Sequence, residues 1–133
     1  MTGKTILIID DDQHLLLGLA ARLRGSGYRI ICASDAVSGI TLAQTETPDL
    51  IILDLGLPRD EGFELLKQKR ELTDIEGIPV IVLSARDPVK NDKLALEAGA
   101  VAYFQKPPDN SQFLSAVRQT LGETPVLSTF LRT

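Results

Sequence analysis

Hydrophobic residues along the chain gather in five short runs instead of alternating with polar residues. The runs read TILII, YRIICA, DLIIL, PVIVL and VAYF, and several are apolar throughout. An unbroken apolar run of this length is typical of a strand that is covered on both faces. The runs therefore predict the buried strands of a parallel sheet.

Segments with helical spacing separate these runs. They cover about residues 13–24, 35–44, 61–72, 88–98 and 109–122, and the first places Leu16, Leu19, Ala20 and Leu23 on one stripe. Strand and helix alternate along the chain, which predicts an α/β fold, a doubly wound parallel sheet with helices on both faces. Ligands of such folds bind at the carboxyl ends of the strands, where the strand order reverses.

Acidic residues follow two of the predicted strands. Asp10 and Asp11 come directly after the first run, and Asp54 comes directly after the third. We expect these carboxylates to meet at one rim of the sheet, where they repel one another unless a cation or a proton is present. Oxygen ligands alone favour Mg²⁺, which binds carboxylates, carbonyls and waters. The neighbouring Asp12 is interpreted as the N-cap of the first helix.

The other strand ends carry complementary groups. Ser84 follows the fourth run and Lys106 follows the fifth. Each could be an ordinary surface or capping residue when taken alone. A metal site, a hydroxyl, an ammonium and a carboxylate at one rim together predict phosphoryl transfer, with a carboxylate able to act as the nucleophile.

Composition and charge narrow the function classes. The chain has 133 residues, 44% of them hydrophobic, which fits one globular domain. A net charge of −4 without a basic cluster argues against direct nucleic-acid binding by this chain. No run approaches membrane-spanning length and no signal peptide is present, so we expect a cytoplasmic protein.

Cys32 lies in an apolar run and is expected to be a small buried residue. His14, the only histidine, is expected to be exposed.

The motifs ILIIDDD, PDLIILDLGLP with GFELL, PVIVLSA and EAGAVAYFQKP occur in order over about residues 4–121. In this combination the chain resembles the receiver domain of bacterial two-component response regulators. The resemblance implies a flavodoxin-like sheet with strand order 2-1-3-4-5 and five helices. It also implies a domain over residues 1–122, which leaves residues 123–133 as a tail or the start of a linker.

The resemblance also assigns roles. Asp54 would accept a phosphoryl group from the phosphohistidine of a sensor histidine kinase or phosphotransfer protein. Asp10, Asp11, Asp54 and the backbone carbonyl of Gly56 would bind Mg²⁺ or Mn²⁺. Ser84 and Lys106 would contact the phosphoryl group. Tyr103 would be the aromatic switch residue, although a half-buried strand aromatic is an equally good interpretation. The resemblance also implies a cis peptide bond between Lys106 and Pro107.

The implied output is a changed surface around the fourth helix, the fifth strand and the fifth helix, read by an unknown output domain or partner. The fifth strand lacks the acidic pair of regulators that dimerise through this face, so a weak homodimer is left open. Pro108 replaces the usual packing residue after the lysine-proline pair. We further hypothesise that Gly56 leaves the phosphoryl group open to water while Arg86 partly covers it.

Two other functions compete with this interpretation. A Mg²⁺-dependent phosphatase with an aspartate nucleophile needs a second acid two residues later, where this chain has Gly56. The alternative is a phosphorylation-independent protein-interaction module on a receiver scaffold. The chain retains the acids, the acceptor and the lysine, which favours a phosphoacceptor domain that promotes its own phosphorylation and dephosphorylation without being a conventional enzyme.

Overall fold

The computed structural model describes residues 3–123, which form one five-stranded parallel sheet in the order β2-β1-β3-β4-β5. This confirms the predicted fold class and strand order. The strands are β1 (Thr5–Ile9), β2 (Arg29–Ala33), β3 (Leu50–Leu53), β4 (Val80–Ser84) and β5 (Ala102–Gln105). The predicted tail from residue 124 onward lies outside the described residues.

Five α-helices connect and flank the strands: α1 (Gln13–Gly25), α2 (Ala36–Glu46), α3 (Glu61–Glu71), α4 (Pro88–Glu97) and α5 (Asn110–Thr120). A 3-10 turn, Pro58–Asp60, precedes α3. The side chain of Asp12 accepts a hydrogen bond from the Leu15 amide at 3.1 Å, which confirms the predicted N-cap of α1. No helix within residues 3–123 is long and apolar enough to cross a membrane.

Two hydrophobic cores hold the helices against the sheet. One core lies on the face covered by α2, α3 and α4, and the other on the face covered by α1 and α5. Successive residues of a strand point to opposite faces, so Leu7 and Ile9 enter the first core while Ile6 and Ile8 enter the second. The central strands β3 and β4 are buried at every position, which explains their unbroken apolar runs.

The expected burial of Cys32 is wrong, because its side chain is exposed. Cys32 lies in β2, which forms an edge of the sheet and has a neighbouring strand on one side only. The buried residues of β2 are Ile30 and Ala33 instead. The apolar run YRIICA therefore marks an edge strand and not a fully covered one. His14 is exposed, as predicted.

The strand register brings the predicted site residues to one rim. Ile9 pairs with Leu53, so Asp10 and Asp54 leave adjacent strands at the same level. The ladder continues one step beyond the strands, because the Asp54 amide donates to the Ile9 carbonyl at 3.0 Å. In the same way the Lys106 amide donates to the carbonyl of Ser84 at 2.8 Å.

Candidate phosphoacceptor and metal site

Three carboxylates meet at this rim. Oxygen atoms of Asp10, Asp11 and Asp54 all lie within 4.8 Å of one another. Asp10 is 2% exposed and Asp54 is 5% exposed, whereas Asp11 faces solvent. The cluster therefore has two buried members that the sheet fixes in place and one accessible member at its mouth.

Backbone amides orient the two buried carboxylates. Oδ1 of Asp10 accepts the amide of Asp12 at 2.9 Å, and Oδ1 of Asp54 accepts the amide of Gly56 at 2.8 Å. In each carboxylate the second oxygen, Oδ2, is the one that contacts Lys106. Burial raises the pKa of Asp10, and the nearby charge of Asp54 raises it further.

Lys106 supplies the positive charge of the site. Its Nζ lies 2.8 Å from Oδ2 of Asp10 and 3.4 Å from Oδ2 of Asp54. Partial burial acts to lower the pKa of Lys106, but the hydrogen bond to Asp10 and the charge of Asp54 outweigh burial, and the pKa is raised. The ammonium is thus a firm internal counter-ion for both buried carboxylates. The peptide bond between Lys106 and Pro107 is cis, as the resemblance implied.

Two glycines lie against the Asp54 carboxylate and its backbone. A Cβ atom at Gly56 would lie 3.1 Å from Oδ1 and 3.3 Å from Oδ2 of Asp54, so the missing side chain leaves this carboxylate open. A Cβ atom at Gly62 would lie 2.7 Å from Cα of Leu55 and 2.8 Å from the carbonyl oxygen of Asp54. Only glycine allows α3 to begin this close to the end of β3.

The side chains of Ser84 and Tyr103 both form hydrogen bonds with the backbone of Arg86, in the short loop between β4 and α4. Ser84 is fully buried, and its Oγ accepts the amide of Arg86 at 3.1 Å. The Tyr103 hydroxyl donates to the carbonyl oxygen of Arg86 at 2.8 Å. The ring of Tyr103 packs against the core on the α4 face. Partial burial raises the pKa of Tyr103, so the hydroxyl is a stable donor at neutral pH.

The partial covering of the phosphoryl group by Arg86 stays a prediction. In the structure, Arg86 contacts the start of α3. Its Nη2 lies 2.9 Å from Oδ1 of Asp60, and its Cζ lies 6.0 Å from the ring centroid of Phe63. The guanidinium is therefore held by the start of α3. No sequence pattern pointed to this ion pair.

The donor set of the rim fits a hard divalent cation. The three clustered residues offer carboxylate oxygens only, which suit Mg²⁺ and not a softer metal. The exposure of Asp11 leaves the mouth of the cluster open to water and phosphate oxygens. The structure thus brings the predicted metal residues Asp10, Asp11 and Asp54 together. Gly56, whose backbone carbonyl is the other predicted ligand, lies two residues after Asp54 in the sequence.

The family model for the response regulator receiver domain matches residues 6–118 of the chain. The chain is 40% identical over 105 residues to the alkaline phosphatase synthesis transcriptional regulatory protein PhoP of Bacillus subtilis, covering 79% of this chain and 43% of PhoP. It is 43% identical over 102 residues to the KDP operon transcriptional regulatory protein KdpE of Escherichia coli, covering 77% of this chain and 44% of KdpE. The chain thus spans less than half the length of these two curated relatives.

Solved structures share the fold. A putative response regulator from Chloroflexus aurantiacus superposes with a TM-score of 0.85 at 29% identity, covering 91% of this chain and 99% of that one. The receiver domain of a sensor histidine kinase from Pseudomonas aeruginosa, described with magnesium coordinated in its active-site cleft, gives a TM-score of 0.81 at 25% identity. That match covers 91% of this chain and 99% of the other.

Proposed function

Because the chain belongs to the family of response regulator receiver domains, we propose that Asp54 accepts a phosphoryl group and thereby switches a surface of the domain. The observation that carries the proposal is the setting of Asp54. Its carboxylate is buried at the rim, its Oδ2 faces an ammonium, and its surroundings hold two further acids. This arrangement supports a nucleophile that is oriented and open on one side.

The proposed donor is the phosphohistidine of a sensor histidine kinase or a phosphotransfer protein. A carboxylate oxygen of Asp54 attacks phosphorus, the new P–O bond forms as the P–N bond breaks, and the electron pair of that bond remains on the imidazole nitrogen. Lys106 and the Ser84 hydroxyl would stabilise the charge on the phosphoryl oxygens. Hydrolysis of the acyl phosphate, also promoted by the domain, returns the free carboxylate.

Mg²⁺ or Mn²⁺ is part of the proposal. Asp10, Asp11, Asp54 and the backbone carbonyl of Gly56 would hold the ion, and when bound it would neutralise charge on the phosphoryl oxygens. The magnesium seen in the Pseudomonas aeruginosa receiver domain supports the choice of metal. The chain's own contribution is to fix two carboxylates by backbone amides and to keep Lys106 beside them.

The proposed output is a change in the surface formed by α4, β5 and α5. A phosphoryl group adds negative charge and acceptor oxygens next to Ser84. Ser84 and Tyr103 both contact Arg86, so a shift at Ser84 is transmitted to the loop that leads into α4. The names of PhoP and KdpE describe transcriptional regulation, which supports an output region or partner of that class. A cytoplasmic location remains a prediction, and a weak homodimer stays open.

Intact-mass spectrometry tests the proposal directly. The native chain is incubated with acetyl phosphate, with Mg²⁺ or with a chelator, in parallel with Asp54→Asn and with Asp74→Asn, which removes the same charge from an exposed turn. We expect one phosphoryl group on the native chain and on Asp74→Asn, in Mg²⁺ only, and none on Asp54→Asn. Failure to form the adduct, together with failure to bind beryllofluoride, would instead indicate the phosphorylation-independent interaction module.

A further inference from the structure

Arg86 connects three parts of the domain through different atoms. Its amide donates to Ser84 and its carbonyl accepts from Tyr103, as described above. Its guanidinium lies on Asp60 and over the ring of Phe63, both outside the β4–α4 loop. The residue that fixes the two switch side chains is thus itself anchored to the beginning of α3.

Asp60 is suited to an anchoring role and not to a catalytic one. No hydrogen bond or ion pair joins it to the acid cluster or to Lys106, and its side chain is 74% exposed. Its backbone has φ 57° and ψ 26°, a left-handed conformation that aspartate and asparagine tolerate better than most residues. The turn that holds Asp60 is the next element after β3, and Asp54 directly follows the last residue of β3.

Building on the proposed function, we propose that Asp60 is a positioning residue for the switch. Through its ion pair with Arg86 it holds the β4–α4 loop in the arrangement in which the Arg86 amide bonds Ser84 and the Arg86 carbonyl accepts from Tyr103. The pair links the two loops that follow β3 and β4, so it couples the acceptor side of the rim to the switch side. Loss of the pair releases the loop and with it both side chains.

Asp60→Asn removes only the negative charge, because asparagine keeps a side-chain carbonyl oxygen and tolerates the left-handed backbone. Arg86→Met removes the guanidinium while leaving a long side chain beside Phe63 and the backbone hydrogen bonds to Ser84 and Tyr103. Asp74→Asn is the control for charge. The double variant of Asp60 and Arg86 completes a thermodynamic cycle that reports whether the two residues act together.

The readout is the environment of Tyr103 in the absence of any phosphodonor. The chain has two tyrosines, so fluorotyrosine labelling gives two ¹⁹F resonances, and Tyr28→Phe assigns them. Tyr28 bonds Glu123 at 2.5 Å and serves as an internal reference. We expect Asp60→Asn and Arg86→Met each to move the Tyr103 resonance toward that of exposed fluorotyrosine, to leave Tyr28 unchanged, and to give no further shift when combined.

The same variants should slow phosphorylation by acetyl phosphate by about 1.5- to fivefold, the range expected for an exposed ion pair, with the difference shrinking at high salt. A Tyr103 resonance in Asp60→Asn equal to that of the native chain and Asp74→Asn would overturn the proposal. So would a shift of the same size in the Arg86→Met background. The resonance is measured without phosphorylation, so it tests the anchor even if Asp54 accepts no phosphoryl group.

Discussion

Substitution of Gly56 by alanine should slow both the gain and the loss of the phosphoryl group. The new Cβ atom would lie 3.1 Å from Oδ1 and 3.3 Å from Oδ2 of Asp54, closer than ordinary van der Waals contact. The carboxylate cannot turn away freely, because Oδ1 accepts the Gly56 amide at 2.8 Å and Oδ2 lies 3.4 Å from Lys106. The contact therefore has to be relieved by a shift of the acceptor itself.

The size of the effect follows from that shift. Displacing a side chain off its rotamer costs about 0.5–1.5 kcal/mol. If this cost raises the free energy of the transition state, the rates of phosphoryl gain and loss drop by about two- to tenfold, since 1.36 kcal/mol corresponds to about tenfold in rate. The added methyl group also covers one approach to phosphorus, which hinders the hydrolytic water as well as the donor. Both rates should fall in the same variant.

The assay follows intact mass during incubation with acetyl phosphate and Mg²⁺, and then after the donor is removed. Gly77→Ala is the matched control, because a Cβ atom at this exposed turn position has no neighbour within 4 Å. It also controls for the effect of alanine on the unfolded chain, about 0.4–1 kcal/mol. Rates in Gly56→Ala equal to those in Gly77→Ala would refute the argument that an open Asp54 carboxylate sets the lifetime.

Three further outcomes are expected. Mg²⁺ at ten times its Kd should stabilise the native chain by about 1.4 kcal/mol, seen as a rise of several degrees in Tm, and Asp11→Asn should lose most of that rise. Burial and the Glu123 hydrogen bond raise the pKa of Tyr28 to about 12, so its contribution to stability is complete below pH 10 and lost between about pH 10 and 12. Denaturant titration of Tyr28→Phe should lack this loss. Gly62→Ala should lower the free energy of unfolding by about 1–3 kcal/mol in urea, because its Cβ atom would overlap the backbone of Leu55.

The rim could be predicted from the sequence because the central strands leave a clear signal. Both faces of β1, β3 and β4 are covered, so these strands read as unbroken apolar runs and the residues that follow them stand out. Parallel register then places those residues together without further information. Asp10, Asp11 and Asp54 were found in this way, and the helices that flank them begin and end within about two residues of the predicted positions.

Features that depend on contacts between loops were not predictable. The Asp60–Arg86 pair joins residues 26 positions apart in two irregular segments, and nothing in the local pattern distinguishes them from solvated charges. The exposure of Cys32 follows from the place of β2 at the edge of the sheet, which the family resemblance implied; the burial of Cys32 was predicted from its apolar run alone, and that run does not show the edge. Gly62, the glycine of the GFELL motif, could have been noticed, because glycine disfavours a helix and is unusual in its first turn. In the structure it allows close contact with the backbone that follows β3.

The charges at the rim account for the proposed binding of a divalent ion and a phosphoryl group at the same site. With all three carboxylates ionised, Asp10, Asp11 and Asp54 carry three negative charges and Lys106 returns one positive charge, which leaves an excess of two. A divalent cation cancels that excess. Phosphorylation then replaces the single charge of Asp54 by nearly two, so the balance fails by about one charge. In the proposed switch, the contact of the buried Ser84 with Arg86 would pass this imbalance to Tyr103 and α4.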